Sequence, residues 1–297
     1  MNLLITGAWS EAQSHIVELE AMGHCVAFQQ QEKDPLQVNE DWVEGVIGNG
    51  LFLSHPIERF TNLRYIQLTS AGYDRVPMSY VREHNIEIHN ARGVYSIPMA
   101  EFALAGVLSL FKKLQFFAEN QKQHQWVKHR GLWELHGKTV CIVGCGDVGA
   151  ECAKRFAAFG CRVIGVNRTV RFDSLYEKIF GLDKLDEVLP EADILVLTIP
   201  LTEQTRHMIG SVQLQLMKSE AVLVNIARGA VVDFDALEKH ISKLGGAVLD
   251  VFPEEPLSAE SPLWDAENVL ITPHNSFVGE GNSARLSGVI LDNLKRS

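Results

Sequence analysis

Short apolar runs edged by polar residues or glycine recur early in the chain: LLIT (Leu3–Thr6), VAF (Val26–Phe28), VEGVIGN (Val43–Asn49), YIQLTS (Tyr65–Ser70) and IEIHN (Ile86–Asn90). The gaps between them fit helices and crossing loops, and this alternation predicts a small parallel sheet with helices on its faces. From Pro98 to Gln125 the pattern lengthens into one predicted helix, apolar through MAEFALAGVLSLF and polar through AENQKQHQ. A second series follows: TVCIVG (Thr139–Gly144), RVIGVN (Arg162–Asn167), ILVLTIP (Ile194–Pro200), AVLVNIA (Ala221–Ala227), GAVLDV (Gly246–Val251) and VLIT (Val269–Thr272). Six β-rich runs at these intervals predict a doubly wound sheet of the dinucleotide-binding type. The closing SARLSGVILDNLKRS reads as a helix.

Within the second series, VCIVGCGDVGAE (Val140–Glu151) spaces its glycines as Gly144, Gly146 and Gly149. A lone GxGxxG is a weak signal. Here it leaves a strand, opens a predicted helix over Asp147–Phe159, and is followed by a strand ending at Asn167. In that context Gly144 permits a tight turn, Gly146 lets backbone approach a pyrophosphate, and Gly149 lets helix and strand pack closely. Asp147 and Val148 lie at the helix start, where the backbone N–H groups would receive the anion. An NAD-selective fingerprint places an acid at the end of the second strand; this chain has Asn167, followed by Arg168 and Arg171. An acid would repel a 2′-phosphate and an arginine would pair with it, so the expectation is NADP(H) preferred and NAD(H) possible.

Composition narrows the class. A length of 297 residues suits two domains, and 46% hydrophobic with 22% charged residues is ordinary for a globular protein. The formal charge of −10 gives no basic field for nucleic acid or an anionic membrane, so an anion must be caught by local geometry. MNLLITGAW lacks a basic leader and no apolar run is long enough for a membrane span, so a cytoplasmic location is expected. Five cysteines with no CxxC predict reduced, packed thiols. His124, His129 and His136 have no zinc spacing, and no metal site is expected.

Ligands of open parallel sheets bind beyond the carboxyl ends of the strands. Arg228 follows AVLVNIA, Glu254 and Glu255 follow GAVLDV, and His274 follows VLIT. Arginine offers a planar fork of donors to a carboxylate and a carbonyl, and histidine can deliver a proton near neutral pH. A carboxylate beside that histidine would hold the ring and favour imidazolium; by position alone, either glutamate could serve. This set suits hydride transfer to a 2-oxo acid.

HGKTVCIVGCGDVGAECAKRFAAFGCRVIGVNR, VLVNIARGAVVD, GAVLDVFPEEPL and VLITPHNS stand in the order of the signature segments of the D-isomer-specific 2-hydroxyacid dehydrogenase family, which the chain resembles over nearly its whole length. The resemblance implies an α/β protein of two doubly wound parallel-sheet domains. A smaller flavodoxin-like substrate domain would cover 1–92, completed by the tail 276–297, and a Rossmann dinucleotide-binding domain would cover 93–275. It further implies that Arg228 binds substrate carboxylate and carbonyl, that His274 is the general acid/base, and that Glu255 pairs with it. Asp250 would hold the nicotinamide carboxamide, and Pro200 and Ala227 would complete the coenzyme set. SAGYDRVP (Ser70–Pro77) is similar to the loop whose N–H groups hold the substrate carboxylate, with Ala71 and Gly72 nearest, and Asn49 would also face substrate. The helix beginning near Pro98 usually forms a subunit interface, so a homodimer is implied.

The expected function is reduction of a small 2-oxo acid, such as glyoxylate or hydroxypyruvate, to a D-2-hydroxy acid. Two alternatives stand beside it. A phosphoglycerate dehydrogenase-like enzyme would tend to carry arginine where Asn49 stands and, in allosteric biosynthetic forms, a regulatory extension. A non-enzymatic dinucleotide-sensing interaction protein would be marked by a lost active site, yet Arg228, Glu255 and His274 are all present. Formate as substrate would call for glutamine in place of Glu255.

Overall fold

Strands form inside the apolar runs. The computed structural model describes residues 1–296, and five parallel strands arise early: β1 (Asn2–Thr6), β2 (Cys25–Gln29), β3 (Gly45–Gly48), β4 (Tyr65–Leu68) and β5 (Glu87–His89). Their order is β2-β1-β3-β4-β5, the flavodoxin-like arrangement. β3 and β4 are buried throughout because both faces of a parallel sheet are covered, which is why they read as mainly apolar runs, with Gln67 the one polar residue inside β4. Helices α1 (Ala12–Ala21) and α2 (Met78–Glu83) belong to this unit, as does the C-terminal helix Asn282–Leu294. That helix buries Leu286, Ile290, Leu291 and Leu294 with Leu3, Ile5 and Trp9. Trp9 Nε1 donates to Ser287 Oγ at 2.9 Å, and Ser287 Oγ donates to Glu11 at 2.8 Å.

The chain divides into two compact units, Met1–Tyr95 with the segment from Gly279 onward, and Ser96–Val278. Its crossings lie at 95/96 and 278/279, against the 92/93 and 275/276 expected from the sequence.

The second unit holds β6 (Thr139–Val143), β7 (Arg162–Asn167), β8 (Lys178–Gly181), β9 (Ile194–Leu197), β10 (Val222–Asn225), β11 (Gly246–Leu249) and β12 (Val269–Ile271). They form one parallel sheet in the order β12-β11-β10-β9-β6-β7-β8. This corrects the six runs expected: β8 is a seventh strand, and its KIFG escapes the pattern because it is short, lies at the sheet edge and buries Ile179 but exposes Lys178.

The single helix expected over Pro98–Gln125 is also corrected. It is two helices, α3 (Ser96–Phe111) and α4 (Leu114–Lys122), broken where Lys113 turns left-handed at φ +52°. Returning chain caps α3 at this point: Trp133 N–H donates to Phe111 O at 3.1 Å and Lys112 Nζ donates to Trp133 O at 2.6 Å. The remaining helices are α5 (Asp147–Ala158), α6 (Leu185–Val188), α7 (Ser211–Leu216) and α8 (Phe234–His240). Among the described residues no helix is long and apolar enough to cross a membrane. All five cysteines are free thiols; burial pushes Cys141 and Cys152 up to about 12 and Cys145 and Cys161 up to about 11, so these four pack rather than react, whereas Cys25, expected to pack as well, is exposed.

One carboxylate stitches the base of this sheet. Asp193, just before β9, accepts from Thr139 N–H at 2.8 Å and from Lys218 Nζ at 2.9 Å. Burial alone would raise its pKa, but these two donors outweigh burial and hold the carboxyl below its ordinary value. A depressed folded-state pKa stabilises the fold above the unfolded value of about 3.9, and the contribution is lost as pH falls through the folded value. Asp193→Asn is therefore expected to cost about 1–3 kcal/mol in urea denaturation at neutral pH. The gap to wild type should close as the medium is acidified through the carboxylate range; a pH-independent gap would contradict this.

Candidate active site

At the carboxyl edge of the second sheet the winding reverses between β6 and β9, which makes the crevice where doubly wound sheets take ligands. Gly144, ending β6, has φ +103°, and a Cβ there would lie 2.7 Å from Ile199 N. Both the left-handed backbone and the crowding require glycine. A Cβ on Gly149 would lie 2.1 Å from Gly144 O, so α5 packs directly onto the turn that starts it. Gly146 is different: it is exposed, it precedes α5 with no side-chain cap, and a Cβ there would meet nothing within 4 Å. Open space over an uncapped helix start is where an anion can enter. Asp147 and Val148 are half-buried in the first turn. Thr198 Oγ1, from the opposite side of the crevice, donates to Gly144 O at 2.6 Å, and Thr205 Oγ1 donates to Pro200 O at 2.8 Å.

At the end of β7, Asn167 accepts from Cys145 N–H at 3.4 Å and donates to Thr169 O at 3.1 Å. Arg171 lies back over the glycine loop, donating to Cys145 O at 3.0 Å, with Asp173 3.7 Å away. Arg168 is exposed and, among the described residues, its side chain has no hydrogen bond or ion pair.

The ends of β10, β11 and β12 gather the remaining polar residues. Fully buried Asn225 closes the turn after β10: Oδ1 accepts from Ala227 N–H at 3.1 Å and Nδ2 donates to Arg228 O at 3.1 Å. Arg228 Nη1 donates to Ala227 O at 2.8 Å. A Cβ on Gly229 would lie 1.9 Å from the Phe252 carbonyl carbon, so the Arg228 turn rests backbone to backbone on the loop after β11. In that loop Glu255 accepts from Phe252 N–H at 3.0 Å with one oxygen, and the other lies 2.8 Å from His274 Nδ1. The choice between the two glutamates is thus decided by distance in favour of Glu255.

His274 has φ +52°, a strained state for histidine, and Asp250 holds it there. The Asp250 carbonyl accepts from His274 N–H at 2.8 Å. Its buried carboxylate accepts from Thr272 Oγ1 at 2.6 Å and Asn275 N–H at 2.7 Å on one oxygen, and from Ser276 N–H at 3.0 Å on the other. With Nδ1 facing Glu255, Nε2 is the imidazole atom left to exchange a proton with a ligand.

Residues 104–276 match the NAD binding domain of the D-isomer specific 2-hydroxyacid dehydrogenases. The chain belongs to the D-isomer specific 2-hydroxyacid dehydrogenase family. It is 36% identical over 260 residues to glyoxylate/hydroxypyruvate reductase B of Yersinia enterocolitica, covering 84% of this chain and 79% of that relative. It is 34% identical over 246 residues to glyoxylate reductase of Korarchaeum cryptofilum, covering 80% and 74%. The crystal structure of a D-isomer specific 2-hydroxyacid dehydrogenase from Xanthobacter autotrophicus Py2, in complex with NADPH and MES, matches with a TM-score of 0.80 at 27% identity, covering 99% of this chain and 94% of the other.

As a 2-hydroxyacid dehydrogenase the protein is an NAD(P)-dependent oxidoreductase. The residues fit such a coenzyme: the open space at Gly146 can receive a pyrophosphate, and the Asp250 carboxylate retains acceptor capacity on the oxygen that takes one bond. The coenzyme supplies or accepts the hydride, and the chain's own groups orient substrate and move the proton. Sequence reasoning missed Asn225, Thr198, Thr272 and Gly229, which hold the site through bonds and contacts within the chain. Asn225 carried the one usable signal, a polar residue closing a fully apolar strand.

The first unit places the other expected residues. Asn49 follows β3 and Gly50 comes next; their N–H groups donate to the two oxygens of Glu32 at 2.6 and 2.7 Å. The Asn49 side-chain oxygen is buried without a partner. After β4, Ser70 Oγ donates to Gly72 O at 3.0 Å and Asn90 Nδ2 donates to Ala71 O at 2.6 Å. These bonds tie the carbonyls back, and the Ala71 and Gly72 N–H groups make no hydrogen bond among the described residues.

Proposed function

We propose that the protein is an NADPH-preferring reductase of small 2-oxo acids, with glyoxylate and hydroxypyruvate the first candidates, forming the D-2-hydroxy acid. The observation that carries this reading is His274 held by Glu255 at 2.8 Å beside the Arg228 turn, in the sheet edge that also bears the glycine loop. Arg228 orients the carboxylate and polarises the carbonyl, His274 Nε2 delivers the proton, and Glu255 fixes the ring. Asp250, Pro200 and Ala227 face the nicotinamide end, and Gly144, Gly146, Asp147, Val148 and Gly149 form the pyrophosphate cradle. For the loop of Ala71 and Gly72 in the first unit we propose carboxylate recognition, with Asn49 as a further substrate residue. The working form is a cytoplasmic homodimer, which sedimentation of the purified protein and cell fractionation would test. NADPH oxidation with a panel of 2-oxo acids tests the activity; no turnover with any of them would refute it.

The coenzyme preference rests on Asn167, Arg168 and Arg171. Arg168 carries the larger share because Arg171 is already engaged with Cys145 O and Asp173. A charge-assisted bond of about 1.5–3 kcal/mol gives roughly a ten- to 150-fold preference for NADPH, with exposure favouring the lower end. Arg168→Ala is expected to remove most of that ratio, read as kcat/KM with both coenzymes at fixed ionic strength. Equal efficiencies in the wild type would return NAD as the coenzyme.

A further inference from the structure

We propose that Arg171 is a positioning residue for the glycine loop: it holds the carbonyl end of the Cys145–Gly146 peptide so that the N–H end is presented to the coenzyme's pyrophosphate. The proposal rests on the coenzyme reading above, lies wholly within the second unit, and gives Arg171 a task other than reading the 2′-phosphate.

A peptide unit is planar and trans, so its C=O and N–H point in opposite directions and fixing one fixes the other. Cys145 O and Gly146 N–H are the two ends of one such unit, in the loop between β6 and α5. Arg171 Nη2 donates to the carbonyl at 3.0 Å. The Gly146 N–H makes no hydrogen bond among the described residues, and the space beside Gly146 is open. A bond to the carbonyl also polarises the amide, which makes its N–H a stronger donor to an anion.

The rest of Cys145 is locked. Its side chain is buried, and a Cβ on Gly165 in β7 would lie 2.5 Å from its Sγ, so the sulfur fills room that glycine leaves. Its N–H donates to Asn167 Oδ1 at 3.4 Å. Arg171 is braced in turn: Asp173 Oδ2 lies 3.7 Å from Nη2, and Asp173 Oδ1 accepts from Leu175 N–H at 3.1 Å.

Asp173 also balances the Arg171 charge, whereas Arg168 has no ion pair among the described residues. A 2′-phosphate is therefore drawn to Arg168, and bringing Arg171 to it would break the bond to Cys145 O. NADH and NADPH share the pyrophosphate and differ only at the 2′ position. Loss of Arg171 thus weakens both alike, while loss of Arg168 weakens NADPH alone.

The test is coenzyme binding by the full-length protein. Fluorescence titration gives the dissociation constants of NADPH and NADH, and calorimetry gives that of 2′-AMP, which carries the 2′-phosphate and no pyrophosphate. The Arg171 side chain is 56% exposed, so its truncation leaves the core intact. Arg171→Ala is expected to raise both coenzyme constants about fivefold, the scale of one hydrogen bond, with their ratio and the 2′-AMP constant held within about twofold. Arg171→Lys should recover part of the loss, since an ammonium can still donate to the carbonyl. The loss should persist at about 1 M salt, where a field acting on the pyrophosphate from a distance is screened. A fall in NADPH and 2′-AMP affinity with NADH unchanged would make Arg171 a phosphate reader and overturn the proposal. So would a loss that vanishes at high salt, or unchanged affinity for both coenzymes. Equal losses in a protein that reduces no 2-oxo acid would support the assignment and refute the reductase reading instead.

Discussion

Arg228→Ala is expected to lower kcat/KM for a 2-oxo acid by about three orders of magnitude while the dissociation constant for NADPH changes little. A charged hydrogen bond to the substrate carboxylate is worth about 1.5–3 kcal/mol, and losing a donor aimed at the reacting carbonyl oxygen costs about a further 10²–10³ in rate. The two effects overlap because one guanidinium supplies both, so the sum is an upper bound. Coenzyme affinity is spared because the pyrophosphate cradle is built on β6 and α5, whereas the Arg228 turn is closed by Asn225 and Gly229 after β10. Arg228→Lys should recover only part of the activity, since an ammonium lacks the fork. Steady-state kinetics beside a fluorescence titration with NADPH decides the matter; near-normal kcat/KM in the alanine variant would remove Arg228 from the chemistry.

The second large effect is expected at His274. His274→Asn keeps a polar side chain but cannot carry the proton, and loss of general acid catalysis typically costs about 10²–10⁴ in kcat. Glu255→Gln leaves the histidine in place and replaces its charged partner with a neutral one, so its loss should be smaller, about tenfold. The order wild type, Glu255→Gln, His274→Asn in falling kcat is the expected result. It separates a proton donor from a merely structural histidine, because a structural role for the pair would make the two variants alike.

The strand core and the glycine loop were legible in the sequence for physical reasons. Parallel strands covered on both faces are apolar at nearly every position, and the Val, Leu, Ile and Tyr of VLVN and YIQL between polar turns carry that signal despite Asn225 and Gln67. Gly149 was readable because its contact, the Gly144 carbonyl, is local; Gly144 was readable from the motif alone, since the backbone that crowds it, at Thr198 and Ile199, lies far along the chain. KIFG was not readable, since an edge strand buries little and carries no strong pattern. Nor was the break at Lys113, where the cause is Trp133 arriving to cap Phe111 O. The same limit applies to the site. Arg228 and His274 were candidates from their chemistry at strand ends, and Glu255 was singled out from Glu254 only by the family resemblance; the Asp250 carboxylate that pins Thr272, Asn275 and Ser276 works through partners some twenty residues away that no local pattern encodes. Glu32, which holds the Asn49 and Gly50 N–H groups, is hidden for a related reason: it acts on backbone donors, which every sequence possesses.

The first unit is sewn from both ends of the chain, and this sets a timetable for its birth on the ribosome. Leu3, Ile5 and Trp9 precede the whole of Ser96–Val278, yet the helix that packs on them, Asn282–Leu294, follows it. At roughly 5–20 residues per second, the interval between Tyr95 and Asn282 is on the order of ten to forty seconds. Throughout that time the core around Leu3, Ile5 and Trp9 is only partly closed, by Ala12 and Leu19 of α1, while the contiguous Ser96–Val278 can close its own core as it is extruded. The unit begun first is completed after the other, and shielding its open apolar surface in the interval is a task for chaperones.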